Sequence, residues 1–188
     1  MEEPMTPDEI AFVVGQLDNY LKAPPVSRYS TTDHAAWAEA ALDAYNEEAP
    51  ATLLPMPERA ERVRLGILAA EAMAEVTFGI PSDRVVDDQH SADRVIGDLV
   101  VNLFCLTDGR ISPRELHQAA EELRSEASPG SLTAVSAVTA AGAEREAAML
   151  AALLDAAQSF ECDVPAMVDS ARDYFEDLKA DEAEQTST

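Results

Sequence analysis

Lysine is nearly absent from this chain. Of its 13 basic residues only Lys22 and Lys179 are lysines, against 36 acidic ones, and the formal charge is −23 over 188 residues. Holding a nucleic-acid backbone takes a positive patch, and no stretch supplies one, so direct nucleic-acid binding is not expected. Anionic membrane surfaces are disfavoured for the same reason. Aromatic residues make up only 5% while hydrophobic residues reach 47%, so the core must be mostly Ala, Leu, Val and Ile. No stretch alternates β-branched and polar residues as a half-buried strand does. No apolar run reaches the ~18 residues of a membrane span. The start, MEEPMTPDEI, has neither the basic region nor the apolar run of a signal peptide, and a cytoplasmic location is expected. Cys105 and Cys162 are too few for a disulfide scaffold and behave as small hydrophobes. His34, His90 and His117 are scattered without zinc spacing, and no glycine-rich phosphate loop or nucleophile elbow is present.

What remains is helix. Thr6-Pro7-Asp8-Glu9 reads as a capped start, followed by an apolar stripe of Ile10, Val13, Val14, Leu17 and Leu21 that Pro24-Pro25 ends. Ser30 to Asp33 opens a helix carrying Trp37, Ala41 and Tyr45. Pro50, Pro55 and Pro57 form a loop and the expected seam between an N-terminal appendage, 1–54, and a main bundle, 55–179. A third helix runs from Pro57-Glu58 to Phe78 with Val63, Ile67, Ala70, Ala74 and Phe78 on one face, and Gly79 and Pro81 stop it. The stretch Val95 to Leu106 is apolar all round and reads as the central helix. A further helix spans about Pro113 to Ser125. An alanine-rich one spans Ser131 to Phe160 with a break near Gly142, and a last one starts near Pro165. Residues 180–188 are expected to fray. The fold class is therefore all-α, a bundle of about six or seven helices. An apolar helix, a turn, a proline and an amphipathic helix occur at 99–124 and again at 150–178. Pro113 aligns with Pro165, Leu116 with Val168 and Ala119 with Ala171, a pseudo-repeat of two helical hairpins about a local two-fold.

The side chains best suited to chemistry lie on the third and central helices. Glu71 and Glu75 are spaced i,i+4 within AAEAMAEV, and Asp98 and Asn102 repeat that spacing within the apolar central helix. On antiparallel neighbouring helices the four converge into a hard oxygen site of the kind Mg2+ accepts. Here the chain resembles the MazG-like all-α nucleoside triphosphate pyrophosphohydrolases over about residues 58–126. V-I-G-D, Val95 to Asp98, stands in the position of that family's second metal-binding element, and Asp98 matches its aspartate. Val95 stands where the family has glutamate, and Glu71-x-x-x-Glu75 is one residue wider than its first element. The resemblance implies Mg2+ held by Glu71, Glu75 and Asp98, with a nucleoside triphosphate as substrate.

The segment Asp108 to Leu116, DGRISPREL, looks like the second half of an EF-hand loop, but Phe104 and Leu106 fall where oxygen ligands belong. The D-G-x-I-S-x-x-E string is similar to the TerB-like helical domains. Local folding accounts for each residue: Gly109 stops one helix, Ser112 caps the next, Pro113 is its first residue and Glu115 closes a capping box. Two function classes follow. One is a MazG-like pyrophosphohydrolase scaffold; the other is a non-enzymatic acidic interaction module. Candidate partners are accordingly a nucleoside triphosphate, a basic protein or a second copy of the chain.

Overall fold

A computed structural model describes residues 29–51, 54–79, 86–125 and 133–186. The amphipathic stripe from Ile10 to Leu21 lies outside them. The described residues form seven helices and no strand: α1 Thr31–Glu48, α2 Arg59–Phe78, α3 Gln89–Thr107, α4 Pro113–Arg124, α5 Thr133–Ala140, α6 Glu144–Ser159 and α7 Val164–Thr186. The all-α bundle expected from the sequence is the fold observed. One compact unit spans Thr31–Thr188 and includes α1 together with the helices that follow the prolines between 50 and 57. The physical reason is that α1 buries His34, Ala38, Ala41 and Tyr45 and packs them on α2 and α3.

Local chemistry sets the helix ends. Ser112 and Glu115 form the expected reciprocal capping box, with Pro113 as the first helical residue of α4. A second box, Asp88 with Ser91, opens α3. The alanine-rich segment is two helices, broken at Gly142, whose φ of 64° is the left-handed conformation glycine tolerates. Glu122 reaches from α4 to accept from the amides of Ala134 and Val135, in the first turn of α5. At the other end α7 stays helical through Thr186 where fraying was expected. The carboxylate of Glu182 holds that region by accepting from the Thr31 amide at 2.7 Å and the Thr31 hydroxyl at 2.9 Å.

Centrality belongs to α6 more than to α3. Every residue of α6 from Glu146 to Ala157 is buried, and α6 touches each of the other described helices. Its alanines let neighbours come close, and α2 comes closest. A Cβ added to Gly66 would stand 2.3 Å from the carbonyl oxygen of Ala152. That approach turns α2 so that Leu65, Ala69, Ala70, Met73 and Ala74 face inward, while Val63 and Ile67, expected on the buried face, are half-buried.

The helix contacts repeat as a local two-fold would make them. α1 on α3 matches α2 on α6, and α3 on α7 matches α6 on α4; the α3–α6 and α1–α2 contacts map onto themselves. Only α5 has no counterpart. Within each helix–turn–helix the two members barely touch, since each packs across on the other pair. The turn after α3 carries Gly109 at φ 76° and the turn after α6 carries Glu161 at φ 61°, in the register that pairs Pro113 with Pro165.

Gly66 and Gly97 give opposite expectations for the same substitution. An alanine in an open helix position gains about 1 kcal/mol over glycine. Gly97 has that room, its added Cβ meeting only Met167 Cγ at 3.7 Å, so Gly97→Ala should raise the melting temperature. Gly66→Ala drives a methyl into backbone and should lower it by several degrees, given overpacking penalties of about 1–3 kcal/mol and about 2–4 °C per kcal/mol for a chain of this size. Thermal melts of the two variants side by side check this.

Candidate functional site

The four residues expected to converge on a metal are distributed over two helices that make little contact. Glu71 and Glu75 lie on α2, which packs chiefly on α6 and α1. Asp98 and Asn102 lie on α3, which packs chiefly on α1 and α7. Glu75 is exposed and Glu71 half-buried. Asn102 is buried and already bonded, its Oδ1 2.6 Å from His34 Nδ1. Asp98 is solvent-exposed. Nearby protein pushes its carboxyl up to about 6, with Arg94 pulling the other way, and water at the exposed side chain tempers that shift. Among the described residues no group of three or more His, Cys, Asp or Glu is arranged to hold a metal ion.

Two buried polar corners stand out instead, one on each side of the local two-fold. His34, the fourth residue of α1, meets Asn102 on α3; Arg62, the fourth residue of α2, meets Asp155 on α6. The Asp155 corner is ionic. Its carboxylate is 3% exposed and accepts from Arg62 Nε at 2.6 Å and Arg124 Nε at 3.0 Å, with Arg59 Nε at 3.9 Å. Arg62 also donates to the Pro57 carbonyl, and Arg124 to Glu121 and Gln158. Three helices, α2, α4 and α6, are thereby fastened through one carboxylate.

The His34 corner is neutral. Trp37 and Tyr174 meet the imidazole as T-shaped neighbours, with centroids at 5.1 Å and 6.1 Å. Burial lowers the His34 pKa, opposed by the Asn102 hydrogen bond and by Asp33 and Glu182. The Tyr174 hydroxyl is enclosed without a hydrogen-bond partner, and burial followed by the charge of Asp98 pushes it up to about 12.

Sequence reasoning missed both corners. The signal for Asp155 was present: AALLDAAQ isolates one acid among apolar residues, the pattern that drew attention to Asp98. A second buried acid, Glu146, takes Arg110 Nη2 at 2.6 Å, and Arg110 also donates to the carbonyls of Gly142 and Leu106. Elsewhere a shallow, open depression of about 290 Å³ is lined by the exposed Gln89, His90, Asp93 and Asp163. Cys105 and Cys162 are both free thiols. Among the described residues no helix is long and apolar enough to cross a membrane.

No protein-family model, curated protein or solved structure matches the chain. The MazG-like and TerB-like resemblances therefore stand on the residues that carry them.

Removing one partner of a buried ion pair strands the other charge and costs about 3–5 kcal/mol, whereas replacing both by apolar groups is often neutral or stabilising. Asp155→Asn should accordingly lower the melting temperature by ten degrees or more, because Arg62 and Arg124 both lose their counter-charge. The loss in Asp155→Leu should be partly restored by adding Arg62→Met, since Arg124 keeps Glu121. A double-mutant cycle in urea measures it, and strict additivity of the two changes would show that the pair is not coupled.

Proposed function

We propose that the protein is a non-enzymatic, acidic helical interaction module whose partner is a basic protein segment. The observation that carries this reading is the direction in which its arginines point. Arg62, Arg110 and Arg124 answer buried carboxylates, and Arg145 donates to the carbonyls of Pro50 and Ala51. Three of the scarce cations thus answer buried carboxylates and do not offset the surface acids, which outnumber the exposed Arg59, Arg64, Arg94 and Arg114. On α7 alone Asp169, Asp173, Glu176, Asp177, Asp181 and Glu184 are exposed, while its Arg172 and Lys179 pair with Asp169 and Asp108. A field of one sign steers cationic partners and rejects anionic ones.

The same field opposes folding, which sets the test. The Debye length falls from ~8 Å at physiological ionic strength to ~3 Å at 1 M. Melting temperature should therefore rise with sodium chloride over the first few hundred millimolar, while affinity for a lysine-rich peptide falls. Asp173→Asn, Glu176→Gln and Asp177→Asn combined should weaken peptide binding without lowering stability. Peptide affinity that is indifferent to salt and to these substitutions would remove the reading.

A second reading follows from Asp98, an exposed carboxyl with a raised pKa on the helix that resembles the MazG-like element. In it Asp98 holds Mg2+ against a nucleoside triphosphate without Glu71 and Glu75, which lie on a helix that makes little contact with its own. Selective binding to the folded state raises stability by about 2.7 kcal/mol at a hundred times the dissociation constant. Millimolar magnesium or manganese should then raise the melting temperature beyond the effect of sodium chloride at equal ionic strength, and Asp98→Asn should erase the difference. A wild-type protein showing no such excess excludes this reading.

A further inference from the structure

His34 is the buried histidine among those described, 4% exposed, whereas His90 is exposed and His117 half-buried. Three helices converge on its ring. From α1 come Asp33 and Trp37. From α3 comes Asn102, whose Oδ1 lies 2.6 Å from Nδ1, with Asp98 and Cys105 nearby where α3 faces Tyr174. From α7 come Tyr174 and Glu182, with Asp181 beyond. Lys179 of α7 is engaged with Asp108 at 2.6 Å. Glu182 closes the same corner from outside by holding the first residue of α1 through both carboxylate oxygens. One imidazole thus sits beneath bonds that tie the end of α7 to the start of α1.

We propose that His34 is a proton-operated latch: neutral, it holds α1 and α7 on α3, and its protonation releases the start of α1 and the distal half of α7 while α2, α4 and α6 stay folded. In the neutral state Nδ1–H donates to Asn102 Oδ1. A second proton places a full charge inside a packed corner, and a charge left in such a place is costly. Asp33 and Glu182 attract that charge, but burial outweighs them and the folded-state pKa lies below the ordinary 6.5. The sign follows by linkage. Folding favours the neutral ring, so the stabilisation is fully present above about 6.5 and declines as pH falls below it. Opening relieves the cost by returning the imidazolium to water beside Asp33 and Glu182. The carboxylate of Asp155 is met by Arg62 and Arg124 and not by a histidine, so the rest of the bundle has no reason to follow.

Trp37 is the only tryptophan of the chain and an edge-on neighbour of the ring, which supplies the probe. The full-length protein is titrated from pH 8 to 5, following tryptophan fluorescence and amide hydrogen exchange corrected for intrinsic rates. The expected result is a fluorescence transition with its midpoint below 6.5. Exchange across residues 31–40 and 174–186 should quicken by up to about tenfold per pH unit below that value, with α6 unchanged. His34→Gln should remove both changes. Asn102→Asp sets a carboxylate against the ring, compensates the charge, and should hold the corner closed to a lower pH; it decides the matter should His34→Gln fail to fold. Local opening that survives in His34→Gln would assign it to carboxylates such as Glu182 and overturn the latch. So would an Asn102→Asp variant opening at the wild-type pH, loss of protection across the whole bundle at once, or no change in exchange at all.

Discussion

The carboxylate of Asp155 lies within the helix that every other described helix touches, and the rest of the bundle is arranged around answering its charge. Without it α6 would present mostly alanine and leucine in all directions. Such a surface packs closely but discriminates poorly between one rotation or slide of a neighbour and the next, since small side chains interdigitate in many registers. Arg62 and Arg124 arrive from opposite neighbours with their Nε atoms on the two carboxylate oxygens. That geometry is met at one setting of α2 and α4. Buried ion pairs contribute little net stability, and a specifying role is their better-supported use; here the steric approach of Gly66 to Ala152 and the ionic approach of Arg62 to Asp155 fix the same helix from two points.

The local two-fold gives this arrangement a counterpart with different chemistry. In one half, guanidinium meets carboxylate; in the other, imidazole meets amide. Both corners fasten a flanking helix to an apolar one by the fourth residue of the flanking helix, and both recruit a third helix, through Arg124 in one case and Tyr174 in the other. Equivalent mechanics with unequal chemistry put the histidine, and with it the proposed response to a proton, in one half of the bundle. The half held by the neutral pair also carries the acidic α7.

Helix positions were legible because their signals are local. The Ser112–Glu115 capping box, the break at Gly142 and the proline register of the two hairpins need only a few adjacent residues, and each is found as the sequence suggests. The buried face of α2 was not legible, since alanines sit on both sides of the helix and the phase is chosen by a glycine meeting a carbonyl from far along the chain. Asp98 and Asp155 show the limit most directly. Each is a single acid in an apolar run, VIGDLVV and ALLDAAQ, and the same inference applies to both. One points to solvent and the other into the core, because the difference resides in whether two arginines from other helices can reach it. Nothing within ten residues of either aspartate encodes that.

The distribution of charge connects the fold to the proposed role. A protein with few cations can place them outside, where they soften the surface potential, or inside, where they permit acids to be buried. This chain places Arg62, Arg110 and Arg124 against interior carboxylates and takes the consequence at the surface. Burying Asp155 and Glu146 commits Arg62, Arg110 and Arg124 to those carboxylates, and their charge does not offset the surface acids. Keeping both the internal pairs and the unneutralised exterior is what a module needs when its shape must be unique and its field strongly negative.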